Sequence, residues 1–280
     1  MSAMNEIDFP LLDEDFQRIR KMLYSWGGIS LNDSKKPMVG NRLKRRLRTL
    51  GYFEFSRYLD FLECTEGERE HFINALTTNL TSFFREEYHF TALANYLRAQ
   101  PRGRPIHIWS AAASTGEEPY SIAMTAIEAL GEHDSRRVHV LASDIDTRVL
   151  AQAEVGIYGL DRVDKLSSET LRRCFLRGGG SNEGKVRIRP EVRGLVSFRQ
   201  INLLAPSWPV PREIDVIFCR NVMIYFDKET QAKILARFAP LLLPQGLLIA
   251  GHSESYSFAS HLFRLCSKTI YRPVITEGIH

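Results

Sequence analysis

IHIWSAAASTGEEPYSIAM, residues 106–124, decides how the rest of the chain is read. It begins as a short apolar run rich in β-branched and aromatic side chains, the pattern of a buried strand. Small residues from Ala111 to Gly116 then turn the chain. Glu117-Glu118-Pro119 opens a segment with apolar residues at Tyr120, Ile122, Ala123, Ala126 and Ile127, and acids with a proline in the first turn are expected helix-entry chemistry. Strand, small-residue turn and helix together are how α/β proteins build a nucleotide pocket. This turn nevertheless lacks G-x-G-x-x-G and sets carboxylates where a pyrophosphate needs bare amides. The ligand it predicts is nucleoside-like, carries no phosphate, and offers a positive group to an acid.

Outward from this stretch, strand-like runs at 106–109, 138–142, 196–200, 214–218 and 246–250 alternate with helical segments at 117–130, 147–154 and 228–242. That alternation predicts a mostly parallel sheet with helices on both faces, and Phe263–Pro273 adds a final hairpin. The rhythm lapses between Tyr158 and Phe198. A short helix at Ser167–Phe175, a glycine-rich turn at Gly178–Gly184, and runs at Phe175–Arg177 and Val186–Arg189 predict a β-hairpin on a small insertion, about 160–198. Residues 1–90 read instead as a helical domain, with helices at Asp13–Ser25, Lys36–Leu50, Phe53–Cys64 and Glu66–Thr77. Residues 91–105, Pro/Gly/Arg-rich at their end, read as a linker to an α/β domain over 106–280.

The chain's 280 residues, 44% hydrophobic and 25% charged, fit one large or two modest globular domains. No apolar run reaches the ~18–20 residues of a membrane span. The start, MSAMNEIDFPLLDEDF, is acidic and does not read as a signal peptide. Four cysteines lie far apart without CxxC, which predicts reduced cytoplasmic thiols and no zinc site. The eight histidines lack metal-ligand spacing, so no metal is expected. His252-Ser253 lacks the G-x-S-x-G elbow of a hydrolase.

Asp144 ends the second strand, where an acid commonly holds both ribose hydroxyls. Asp146 reads as a helix cap. Asn221 and Tyr225 follow the strand at 214–218 and, four apart, share one face if the turn is helical. The N-P-P-Y and D-P-P-Y patterns of base-amine methylation are absent. Asn79, Thr81 and Arg85 place polar groups in the aromatic-interrupted stretch TTNLTSFFRE. Arg42, Lys44, Arg45, Arg46 and Arg48 surround an apolar stripe of Val39, Leu43, Leu47 and Leu50. These five cations, in a stretch with no acid between Lys35 and Glu54, exceed what solvation needs and suggest an acidic partner surface, with nucleic acid as the alternative.

TTNLTSFFRE, AAASTGEEPYSIAM, ASDID, INLL, FCRNVMIYFD and AGHSES, in this order, resemble the CheR family of chemotaxis-receptor protein-glutamate O-methyltransferases. The resemblance runs from about residue 15 to 272. It implies a small all-helical N-terminal domain joined to a Rossmann-like class I methyltransferase domain with an inserted antiparallel β-subdomain. It also implies S-adenosylmethionine as cofactor, S-adenosylhomocysteine as product, and no metal. Asn79, Thr81 and Arg85 would reach the cofactor, Glu117 would take its methionine portion through the ammonium, and Asp144 would hold the ribose. Asn202, Leu203, Arg220 and Asn221 would complete the adenosyl pocket. Arg85 and Tyr225 would act near the methyl group.

The basic helix at 36–50 resembles the element that meets the receptor's methylation helices. The compact glycine turn is similar to that of members whose β-subdomain binds a receptor C-terminal pentapeptide by strand addition, here through Gly178, Gly180, Val186, Arg187 and Ile188. The implied place of work is the cytoplasm, at receptor arrays on the inner membrane. Two rivals stand beside this reading: an RNA methyltransferase of the same fold, and a non-catalytic module that binds cofactor or receptor.

Overall fold

The computed structural model describes residues 9–274, so the first eight residues of the acidic N-terminal stretch and the last six of the chain lie outside it. The chain forms two compact units. One contains residues 9–78 with 225–227; the other contains 79–224 and 228–274. The division falls at Thr78/Asn79, upstream of the expected residue 90.

The first unit is helical: α1 (Asp13–Gly27), α2 (Lys36–Leu50), α3 (Phe55–Cys64) and α4 (Glu66–Leu76). Left-handed glycines stop two of them, Gly28 after α1 and Gly51 after α2, as glycine commonly does. Phe16, Ile19, Leu23, Leu43, Leu47, Tyr58, Leu62 and Phe72 fill the core. A polar knot sits among them. Glu68, 4% exposed, accepts both Arg46 Nε (2.8 Å) and Nη2 (2.6 Å), and the Tyr58 hydroxyl donates to it at 2.9 Å. Burial first, and the neighbouring Glu68 charge second, push the Tyr58 phenol well up.

The second unit opens with α5 (Tyr88–Arg98), a helix where sequence reading placed the start of a linker. Then come β1 (Ile106–Ser110), α6 (Glu117–Asp134), β2 (Val138–Asp144), α7 (Thr147–Val155), β3 (Ile157–Gly159), α8 (Ser168–Cys174), β4 (Phe175–Arg177), β5 (Lys185–Ile188), α9 (Pro190–Arg193) and β6 (Val196–Gln200). The chain continues through β7 (Ile214–Cys219), α10 (Lys228–Phe238), β8 (Leu242–Ala250), β9 (Phe263–Ser267) and β10 (Ile270–Pro273). α10 stops four residues short of the expected 242 because Pro240 cannot donate to a helical ladder.

Seven strands form one sheet in the order β6-β2-β1-β7-β8-β10-β9. The first five are parallel, and β10 and β9 add the predicted antiparallel hairpin. Interior strands are buried on both faces, and Trp109 is fully buried, which contributes about 2–3 kcal/mol for a side chain of its class. Asp215, at the start of β7, is also fully buried. It accepts the Tyr96 hydroxyl and the His107 amide, each at 2.9 Å, and pairs with Arg104. It therefore serves the fold at the sheet edge opposite the ligand side.

The insertion is a separate three-stranded antiparallel sheet, ordered β3-β5-β4. β5 is its centre. Gly184 and Ile188 bond toward the β3 side, while Lys185 and Arg189 bond toward the β4 side. Alternation along an antiparallel strand then commits every amide and carbonyl of β5 to a neighbour. The expectation that Val186, Arg187 and Ile188 pair with an incoming peptide strand is therefore corrected: they are interior. Gly178 and Gly180 shape the turn, Gly178 because a Cβ there would lie 2.1 Å from the Asn182 carbonyl oxygen, and Gly180 through a φ of +60°. The outer edge belongs to β4, where the pattern turns the Arg177 amide and carbonyl away from β5, beside the exposed Leu176.

Candidate functional site

Strand order reverses at β1. The chain runs from β1 to β2 and β6 on one side, then to β7 and β8 on the other, so the crevice at the strands' C-terminal ends lies over β1 and β7. Sequence reading placed Asp144, Asn202, Arg220 and the turn after Ser110 at these ends, and the fold brings them there.

The turn after β1 is built for close approach. Ser114 is left-handed (φ +49°), and its amide donates to Asp144 Oδ2 at 2.8 Å. Gly116 (φ +96°) admits only glycine, because a Cβ would lie 2.8 Å from both Ala153 Cβ and the Tyr158 hydroxyl. Asp144 also accepts the Asp146 amide at 3.0 Å. Burial raises the Asp144 pKa, and these backbone hydrogen bonds act against that rise.

Asp146 is the cap of α7, accepting the amides of Arg148 (3.0 Å) and Val149 (3.4 Å). It also ties in the upstream stretch, since Asn79 Nδ2 donates to it at 3.0 Å. The Asn79 carbonyl accepts the Ser114 hydroxyl at 3.1 Å. Ile201 donates its amide to the Asp144 carbonyl at 3.1 Å, which brings Asn202 and Leu203 alongside. Asn202 Oδ1 accepts the Leu204 amide at 2.9 Å, and its carbonyl accepts Trp208 Nε1 at 3.2 Å. Trp208 in turn lies under the Arg237 guanidinium, 3.6 Å from the ring centroid.

Glu117 and Glu118, adjacent and both buried, have different partners. Glu118 accepts the Ser110 hydroxyl and Arg220 Nη1, each at 2.8 Å. Glu117 is 1% exposed and accepts the Thr115 hydroxyl at 2.6 Å. Its other oxygen pairs with the Arg162 guanidinium, which also donates to the Thr81 carbonyl at 2.9 Å. Glu117 thus meets an arginine from the insertion.

Arg220 is buried among Glu118, Glu86 at 3.4 Å and the Arg85 carbonyl, to which it donates. Arg85 Nη1 donates to the Leu80 carbonyl at 3.0 Å. Burial by itself would raise Glu86, but Arg220 and the His252 hydrogen bond hold it below its ordinary value. Fully buried His89 is pushed down to about 3, by burial first and by Arg220 second.

Asn221 is left-handed (φ +58°), so it does not share a helical face with Tyr225, and that expectation is corrected. Its conformation is held by Glu254, which accepts the amides of Gly251 (2.6 Å), Asn221 (3.0 Å) and Met223 (2.9 Å). Tyr225 ends a short 3-10 turn and groups with the helical unit, where its carbonyl accepts the Ser30 amide at 2.8 Å.

The basic helix is less free than its composition suggested. Arg46 is committed to Glu68. Arg42 Nη1 donates to the carbonyls of Leu76 (2.9 Å) and Thr77 (2.8 Å), closing the end of α4. Arg45 and Arg48 are exposed and Lys44 half-buried. Sequence reasoning missed four site residues. Glu86, Glu118 and Glu254 stood inside quoted motifs without a role, and Arg162 had no local signal.

Chemically, a phosphate would meet Glu117 and Glu118 at the head of α6, whereas a cationic nucleoside finds acids at two strand ends. Among the described residues no group of three or more His, Cys, Asp or Glu is placed to hold a metal, and no helix is long and apolar enough to cross a membrane.

Residues 79–272 match the family described as CheR methyltransferase, SAM binding domain, and residues 14–77 match CheR methyltransferase, all-alpha domain. The chain is 54% identical over 267 residues to chemotaxis protein methyltransferase 2 of Pseudomonas aeruginosa, covering 95% of each. It is 52% identical over 263 residues to the chemotaxis protein methyltransferase of Escherichia coli, covering 93% of this chain and 91% of the relative. It is 53% identical over 263 residues to that of Salmonella typhimurium, covering 93% and 90%.

Proposed function

The chain belongs to the CheR methyltransferase family, a family of S-adenosylmethionine-dependent enzymes of chemotaxis, and on that premise we propose that it esterifies glutamate side chains of membrane chemoreceptors. The observation that supports this most is the set of buried acids at the ends of β1 and β2, which suits a cationic, phosphate-free nucleoside. Asp144 would take the ribose, Glu117 the methionine ammonium, and Asn79, Thr81, Arg85, Asn202, Leu203, Arg220 and Asn221 the remainder. Bound S-adenosylmethionine supplies a methyl group on a positively charged sulfur and ends as S-adenosylhomocysteine.

A substrate glutamate is ionised near neutral pH, so the chain needs no general base. Its residues have two tasks, aligning the carboxylate with the methyl group and keeping water out. Arg85 and Tyr225 are assigned as positioners of the incoming carboxylate. Attack joins an anion to a cation, so a partly dry site favours it.

Receptor contact falls to the outward face of α2, with Arg45, Arg48 and Lys44, while Arg42 and Arg46 hold the helix in place. A receptor C-terminal peptide would add to β4 at Arg177. The work would be done in the cytoplasm, against receptor arrays.

Incubating the protein with methyl-labelled S-adenosylmethionine and receptor-containing membranes tests this. Label should enter receptor protein and be released as methanol by mild alkali, as methyl esters are. Alkali-stable label, or label in RNA instead, would overturn the proposal.

A further inference from the structure

Glu117 cannot receive a cofactor ammonium while its surroundings stay as they are. It is 1% exposed, one oxygen is taken by Thr115, and the other is covered by Arg162. Arg162 is the more exposed partner. Its side chain is 37% exposed and stands in the turn after β3, outside any helix of length. β3, just before that turn, is tied to the turn after β1, because the Tyr158 hydroxyl donates to the Thr115 carbonyl at 2.8 Å. The insertion is thus anchored to the ligand-binding turn and reaches one guanidinium into it.

Charge bookkeeping decides where that guanidinium goes. The amino-acid end of the cofactor is a zwitterion. If its ammonium displaced Arg162 from Glu117 and nothing else changed, Arg162 would keep the Thr81 carbonyl but lose its counter-charge, and a ligand carboxylate would stand beside it unpaired, which is costly near a buried site. If Arg162 turns instead to the ligand carboxylate, one protein ion pair and one ligand ion pair exchange partners, and no unpaired charge is created. A guanidinium can receive a carboxylate through two parallel hydrogen bonds.

We propose that Arg162 receives the α-carboxylate of the cofactor, so that Arg162 and Glu117 together form the complement of its amino-acid end. This rests on the assignment of Glu117 to the ammonium. The insertion then has a second role besides any peptide it binds: it supplies part of the cofactor site.

Calorimetric titration of the full chain with two ligands tests this without turnover. One is S-adenosylhomocysteine. The other is its decarboxylated form, which keeps the ammonium and lacks the carboxylate. Arg162→Gln should weaken S-adenosylhomocysteine about tenfold or more, as loss of a charged hydrogen-bond pair does, and change the decarboxylated ligand less than about twofold. Arg162→Lys, which keeps the charge without the fork, should fall between. Equal weakening of both ligands means that Arg162 only shapes the site, and unchanged or tighter S-adenosylhomocysteine means that it merely competes with the ammonium; either result overturns the proposal. Glu117→Gln must weaken both ligands. If it weakens neither, the Glu117 assignment itself has failed, and the exchange fails with it.

Discussion

In the seven-stranded sheet, β7 buries all six of its residues and ends in a guanidinium shared between two acids. In the three-stranded sheet, β5 alternates exposed with buried side chains, and the neighbouring β4 leaves an edge unpaired among the described strands. The large sheet therefore fixes chemistry through side chains that burial and ion pairing leave in one position. The small sheet offers an edge of backbone groups, which a partner strand would meet by hydrogen-bond pattern with tolerance for variation in its sequence. Arg162 joins the two, since it belongs to the insertion and pairs with Glu117 at the head of α6.

Substitutions can break this contrast. The largest effect should follow Arg220→Met, which strands Glu118 and Glu86 without their shared cation; a loss of about 3–5 kcal/mol in urea unfolding is expected. A loss below about 1 kcal/mol would show that the sheet end is not fixed in this way. Next comes Arg85→Ala, which should lower turnover about a hundredfold through misalignment while stability stays within about 1 kcal/mol. A folded variant with wild-type turnover would remove Arg85 from the positioning role.

A pH series probes the same buried network. His89 has a folded pKa of about 3 against 6.5 for the free side chain. Below 6.5 the unfolded chain therefore binds a proton that the folded chain does not, so stability falls as pH falls through that window. The slope approaches about 1.4 kcal/mol per pH unit. The depressed Glu86 adds loss in the same direction at lower pH. His89→Gln should flatten the slope, which denaturant midpoints at pH 7 and pH 5 would measure.

The small sheet calls for a different test. Arg177→Pro removes an outward amide from β4 and should reduce binding of an aromatic–acidic receptor pentapeptide about tenfold, the worth of a hydrogen bond or so. Arg177→Ala keeps the amide and should retain most of the affinity. Equal loss in both variants would point to the side chain instead of the edge.

What the sequence made legible follows from range. The parallel strands, the α6 entry and the inserted hairpin are local patterns, and each stands where the residues placed it. α5 was legible too, through Phe90, Leu93, Tyr96 and Leu97 at helical spacing, but the Pro/Gly/Arg-rich run after it drew the linker too far upstream. The remaining surprises depend on distant partners. The inward turn of Arg46 needs Glu68, the left-handed Asn221 needs Glu254, and the interior place of β5 needs a strand order that crosses over. Composition alone shows none of these.

The indole of Trp208 rests against the Asn202 carbonyl on one side and beneath Arg237 on another. Trp109, by contrast, is sealed in the core with its Nε1–H on the Ser143 hydroxyl at 2.9 Å. The two indoles meet edge to face, 5.3 Å between centroids, so the chain carries a coupled pair of intrinsic optical reporters beside Asn202, a residue proposed for the adenosyl site. Ligand binding beside Asn202 should change the emission of this pair, so occupancy can be followed by fluorescence without any label. A Trp208→Phe variant that keeps the ligand-dependent change would locate the reporter elsewhere.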